Sequence, residues 1–137
     1  MKMKFVLLTI VVVFCAGAYA WPYLQMEFAS SAYYSQNDKR EYEYYTPDLL
    51  KKMPRISQSY TFQYISNHDS KPTLHEISFD GTTDKVKIES FLRSEGYVKQ
   101  VECDTEAECW RSTAPNKVVS LYSVTSPDHV VVQITDY

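Results

Sequence analysis

The stretch of the chain with the highest density of potential binding groups is ECDTEAECW, residues 102–110. Four carboxylates lie within seven residues of it, and an aromatic residue and a cation follow directly. Clustered carboxylates attract a basic partner at long range and raise its association rate. Trp and Arg are enriched where proteins recognise one another. The stretch therefore predicts a binding site for a basic protein, composed of Glu102, Asp104, Glu106, Glu108, Trp110 and Arg111.

A second interpretation of the same residues is a solvated hairpin tip, which its acids keep soluble. Calcium binding is disfavoured, because the stretch lacks the ligand spacing and the glycine of an EF-hand loop. The two interpretations differ in whether the carboxylates contact a partner or only water.

Three histidines stand beside acids, in the pairs His68-Asp69, His75-Glu76 and Asp128-His129. A hydrolase would use such a pair together with a nucleophile, but no GxSxG or comparable context is present. Neighbouring residues on a strand point to opposite faces, so His75 and Glu76 do not form a dyad. The chain therefore predicts no enzyme, with no catalytic residue, no metal site and no cofactor.

The compartment depends on the apolar run Phe5–Trp21, which follows a basic start. As a secretory signal peptide, it has a cleavage motif at Ala18-Tyr19-Ala20. As an uncleaved anchor, its 17 residues match the shortest spans, with aromatic residues at the interface. The placement of the small residues favours cleavage. Either way the chain from Tyr23 onward is exported, to the periplasm or the extracellular space, or remains tethered to the membrane.

Cysteine usage agrees with export. Cys15 lies in the leader, which leaves Cys103 and Cys109 as a pair. In an oxidising compartment such a pair predicts a disulfide, although two free thiols remain the alternative. A zinc site would need two further ligands, and the histidines show no paired spacing.

Removal of residues 1–20 takes away two lysines and no acid, so the net charge changes from −3 to −5. A nucleic-acid-binding domain is expected to be basic, so the acidic balance argues against that class. Membrane contact is expected only through residues 5–21, and only if the leader is retained. The remaining residues fit one domain, made of a Tyr-rich, partly helical segment (21–56) and a sheet with a helix (57–137).

The elements that position the acidic stretch are mostly strands. Alternating apolar residues predict strands over Ser57–Ser66, Thr73–Phe79, Val118–Val124 and His129–Thr135, with shorter ones at Tyr97–Val101 and Trp110–Ser112. Residues 67–72 and 114–117 read as a loop and a turn. A helix is predicted over about Asp84–Ser94, and Gly96 follows at its exit, where a positive φ is favoured. The prediction is an α+β fold with a mainly antiparallel sheet and one crossing helix.

The N-terminal third is less regular. A helix over Leu24–Tyr34 is one option, Lys39–Tyr45 has no assignment, and a short helix over Pro47–Met53 starts with Thr46 as its cap.

Together these features favour a small envelope protein that binds and neutralises a protein partner, such as an immunity protein or inhibitor against an envelope-acting toxin. The alternative is a structural or assembly component of an envelope complex, docking through the tyrosines of Tyr33–Tyr45. A third hypothesis is that the protein is an uncharacterised hydrolase.

Overall fold

A computed structural model describes residues 2–66, 72–113 and 116–137 of the chain. The helices and strands of these ranges are α1 (Lys2–Phe28), β1 (Ser31–Tyr34), α2 (Lys39–Tyr45), α3 (Asp48–Lys52), β2 (Tyr60–Ser66), β3 (Thr73–Asp80), α4 (Val86–Ser94), β4 (Val98–Lys99), β5 (Glu108–Arg111), β6 (Lys117–Val124) and β7 (His129–Asp136). The strands form one sheet in the order β1-β2-β3-β7-β6-β5-β4, and each neighbouring pair is antiparallel. The predicted α+β class is confirmed.

One face of the sheet carries the hydrophobic core. Alternation along the central strands sends every second side chain to this face. The side chains that are buried there include Phe62, Ile77, Phe79, Trp110, Val119, Leu121, Val130, Val132 and Ile134. Tyr45 of α2, Leu50 of α3, and Ile88 and Leu92 of α4 belong to the same cluster. The three short helices therefore cover this face, and the opposite face carries a mixture of polar and apolar side chains, such as Gln133, Tyr122 and Val131.

Helix α4 forms close to where the sequence predicts it. The Asp84 carboxylate accepts the backbone N–H of Val86 at 3.0 Å, which satisfies one free amide of the first turn. The helix ends at Ser94, and Gly96 just beyond it has the predicted positive φ, +89°. Its buried residues, Ile88 and Leu92, are four apart and so share one face.

The N-terminal third departs from the predictions in three places. The suggested helix Leu24–Tyr34 is correct only as far as Phe28, where α1 ends, and wrong beyond it, where β1 follows as an edge strand. The unassigned residues 39–45 form α2. Thr46 does not cap α3; its buried hydroxyl is 2.7 Å from the Tyr34 hydroxyl, and these two groups satisfy each other. Helix α3 begins at Asp48, one residue later than the predicted start at Pro47.

Two predicted connections fall on residues outside the description. The loop assigned to 67–72 is described only at Pro72, and the turn assigned to 114–117 only at its last two residues. The pair His68-Asp69 lies in the first of these gaps.

Helix α1 extends away from the core. Residues 2–19 are exposed, whereas Met26 near its end is buried in the hydrophobic cluster. Within the described ranges, α1 is the one helix long and apolar enough to cross a membrane, and a signal sequence satisfies the same criteria. It is therefore compatible with either a signal peptide or an anchor.

Candidate binding cleft

A cleft of about 800 Å³ lies on the sheet face opposite the helices. Its floor is formed by side chains of β6 and β7, and its wall by residues 102–107, the loop that leads into β5. The lining also includes Pro72, Leu74, Cys109, Arg111, Ser123 and Tyr137. The floor residues are Val118, Ser120, Tyr122, Gln133 and Thr135. We refer to this feature as the cleft and to residues 102–107 as the acidic loop.

The predicted disulfide between Cys103 and Cys109 is present, with its Cα atoms 5.7 Å apart. Cys109 pairs with Ser120 across β5 and β6, and so lies on the same face as the floor of the cleft. The Cys109 backbone N–H also donates to Cys103 Sγ at 3.1 Å. The bridge therefore ties the acidic loop to the sheet beside the cleft, and a tied loop loses less conformational entropy on binding.

Three of the four predicted carboxylates stand together on the acidic loop. Glu102, Asp104 and Glu106 are exposed and line the cleft. None of them forms an ion pair with the part of the chain that the structure describes. Their charges are therefore available to a partner.

The fourth carboxylate, Glu108, has a different environment. It shares a face of β5 with Trp110, two residues on, and so points to the helix side. Its Oε1 lies 3.0 Å from Lys99 Nζ and 3.5 Å from Lys85 Nζ, and its side chain is 17% exposed. Burial raises the pKa of this carboxyl, but the two lysines outweigh burial and the net pKa is lowered. Glu108 acts as a structural ion pair rather than as part of the exposed acidic surface.

Trp110 and Arg111 also separate. Trp110 is 0% exposed and packs in the core, with the Arg93 guanidinium 5.3 Å from its ring centre. It does not reach the surface where a partner would contact it. Arg111, on the opposite face, is exposed and lines the cleft.

The floor of the cleft was not among the predicted site residues. Alternation along β6 and β7 places Ser120, Tyr122, Gln133 and Thr135 opposite the core residues, so that pattern could have identified them. Burial, with a contribution from the charge of Glu76, raises the pKa of Tyr122. A tyrosine hydroxyl can both donate and accept hydrogen bonds.

A second cavity, of about 430 Å³, lies on the helix side around His75. Its lining includes the charged residues Asp48, Lys52, Glu95, Lys117 and Asp136. Burial lowers the pKa of His75, although a backbone hydrogen bond with Tyr45 and the charge of Asp136 act in the other direction.

His75 shares its face of β3 with buried Ile77, whereas Glu76 lies on the cleft side of the sheet, so the two do not form a dyad. The described residues also contain no group of three His, Cys, Asp or Glu side chains suited to a metal ion.

Neither a protein-family model, nor a curated protein, nor a solved structure matches this chain.

Proposed function

We propose that the chain is a small exported protein that binds a basic segment of a protein partner in the cleft. The observation that carries the proposal is the acidic loop, whose three exposed carboxylates line a cleft and whose conformation a disulfide restrains. A restrained loop with unpaired charges is preorganised for a ligand of opposite charge.

The lining of the cleft is complementary to the side chains of Lys and Arg. Their ammonium and guanidinium groups carry only donors. The floor supplies hydroxyl and carbonyl acceptors from Ser120, Tyr122, Gln133 and Thr135, and the wall supplies carboxylates. The residues from Trp21 onward carry a net charge of −5, which steers a basic partner towards the domain.

The size of the cleft also fits such a ligand. A volume of about 800 Å³ lies within the range of roughly 300–1,000 Å³ that ligand sites occupy. Exposed carboxylates on its wall favour a charged loop or terminus of a macromolecule over an apolar compound. A neutralising role, as in an immunity protein or inhibitor that blocks an envelope-acting toxin, is the form of this function that the export signal and acidity favour.

The assembly alternative depended on the tyrosines of residues 33–45, and much of that surface is occupied. Tyr34 and Tyr45 are buried, and Tyr42 packs edge-on against Phe62. Tyr33 and Tyr44 retain substantial exposure, at 73% and 41%. The aromatic groups therefore contribute more to the core than to a docking face.

The proposal is tested by affinity capture from the envelope of the native cells, with the full chain as bait. The cleft variant carries Glu102→Gln, Asp104→Asn and Glu106→Gln. A matched control removes three exposed acids elsewhere, through Asp48→Asn, Glu95→Gln and Asp128→Asn. We expect a basic protein that wild type and control retain and the cleft variant loses. Equal retention by the cleft variant, or a partner whose contact surface is acidic, would overturn the proposal.

A further inference from the structure

The last turn of α1 is built into the folded domain. Met26 is buried, and its carbonyl oxygen accepts a hydrogen bond from the Tyr45 hydroxyl at 2.9 Å. The Tyr44 hydroxyl donates to Glu27 Oε2 at 2.6 Å. These contacts join α1 to α2, so the direction of the helix fixes the orientation of the domain.

The apolar run at the start of α1 is short for a membrane span. Residues 5–21 number 17, which at about 1.5 Å per residue gives roughly 25 Å. A hydrocarbon core is about 30 Å thick, and a span shorter than the core is accommodated by local thinning and by flanking residues that reach the interface. The residues just beyond Trp21 are therefore drawn into the headgroup layer.

A basic and aromatic patch lies at this depth. It consists of Tyr23, Lys39, Arg40 and Tyr44, which line a cavity of about 460 Å³ together with Glu43. Arg40 is stacked on Tyr23, with its guanidinium carbon 5.6 Å from the ring centre. Tyr23 is two residues beyond Trp21, or about 3 Å along the helix. The headgroup region is roughly 5–8 Å thick on each side, so the patch falls within it.

The two cations of the patch are available to an anion. Glu43 pairs with Lys51 at 3.0 Å, whereas Glu27 accepts the Tyr44 hydroxyl and remains a nearby negative charge. Within the described ranges, neither Lys39 nor Arg40 has a carboxylate partner. Two cations beside exposed aromatic rings match the phosphate and glycerol region of a bilayer.

We propose that α1 is retained as an anchor and that the patch binds lipid phosphates, seating the domain directly on the membrane. This reverses the preference for cleavage, because helix α1 runs without a break from the apolar residues through Ala20 to buried Met26, so that the span and the domain share one element. The inference does not depend on the identity of any protein partner.

Binding of the patch to the membrane also determines where the cleft lies relative to the anchor. Strand β1 follows α1 at one edge of the sheet, and β5 is the sixth strand in the sheet order. Five intervals of about 4.8 Å separate these strands by roughly 24 Å. The acidic loop therefore lies near the opposite edge of the sheet from the strand that follows the tether.

The test uses the full chain in lipid nanodiscs that contain phosphatidylglycerol and a lipid with a spin-labelled headgroup. We expect the label to broaden the NMR signals of residues 39–44 and to leave those of residues 104–106 sharp. The broadening should be weaker in Lys39→Gln/Arg40→Gln, and less so in Lys39→Gln alone, because the anchor still holds the domain near the bilayer. A control that neutralises two exposed lysines elsewhere, Lys52→Gln/Lys87→Gln, should retain it.

Loss of Arg40 removes its contact with Tyr23 and could destabilise the domain, so thermal unfolding of each variant is measured as a control. Lys39→Gln alone removes no observed contact. Equal broadening of the acidic loop and the patch would overturn the seating. Broadening that is unchanged in the double variant would overturn the role of the two cations. A native protein whose intact mass begins at Trp21 would overturn the anchor.

Discussion

The carboxylate of Glu108 lies 3.0 Å from the ammonium group of Lys99, and Lys85 approaches the same oxygen at 3.5 Å. The contact links β5 to β4 and to the residue before α4. Glu108 thus holds the end of the acidic loop against the sheet, while Glu102, Asp104 and Glu106 remain exposed.

The first prediction concerns the pH dependence of this ion pair. The lysines lower the folded-state pKa of Glu108, so its stabilising contribution is present above the ordinary value of 4.5 and is lost as the pH falls through the folded pKa. Glu108→Gln should lower the free energy of unfolding at neutral pH by about 1 kcal/mol or less. The difference in unfolding free energy between the variant and wild type should be smaller in acid than at neutral pH, as measured by urea unfolding under both conditions. Glu106→Gln is the control, and a difference that grows in acid would contradict the assignment.

The second prediction concerns Trp110. Because its side chain is fully buried, Trp110→Ala should cost about 3–5 kcal/mol of unfolding free energy. Val101→Ala, at a fully exposed apolar position, should change it by less than about 0.5 kcal/mol. Chemical denaturation of both variants measures these values. A near-neutral Trp110→Ala variant would show that the indole is not a core residue.

The third prediction concerns His75. Burial holds its folded-state pKa below the ordinary 6.5. The unfolded chain therefore binds more protons, and stability should fall as the pH drops from 6.5 towards the folded pKa. His75→Gln should show a smaller loss of unfolding free energy over that interval. Identical pH profiles for wild type and variant would contradict a buried, neutral imidazole.

The fourth prediction concerns the bridge. Cys103→Ser should lower the unfolding free energy by about 2–3 kcal/mol, because the closed loop is short. The domain should stay folded and the acidic loop should become mobile, as measured by hydrogen exchange of residues 102–107. Cys15→Ser, at an exposed free thiol, should change neither quantity. Unchanged exchange in Cys103→Ser would show that the bridge does not restrain the loop.

Much of the fold could be predicted because its signals are local. The strands β2, β3, β6 and β7 alternate over seven or eight residues each, and α4 has a polar start and a glycine end. The N-terminal strand β1 has only four residues and depends on pairing with β2, a contact of high sequence separation. Helix α2 is rich in tyrosine and glutamate, and it is held by tertiary packing of Tyr42 and Tyr45 rather than by a strong local pattern.

The candidate site could be predicted only in part. The sequence identified the acids and the disulfide, but the strand boundary at Glu108 decides which acids are exposed. Once β5 begins there, the two-residue period sends Glu108 and Trp110 to the core side and Arg111 to the cleft. The floor comes from β6 and β7, which are distant in sequence from the acidic loop, and only the sheet order brings them together.

The most direct test of the central claim is the association rate of the captured partner with the full chain, measured by stopped flow at low and high salt. The cleft variant, with Glu102→Gln, Asp104→Asn and Glu106→Gln, should bind about tenfold more slowly at low salt. The difference should shrink as salt reduces the Debye length to about 8 Å and below. The Asp48→Asn/Glu95→Gln/Asp128→Asn control should stay close to wild type. An association rate of the cleft variant equal to wild type at low salt would contradict the account.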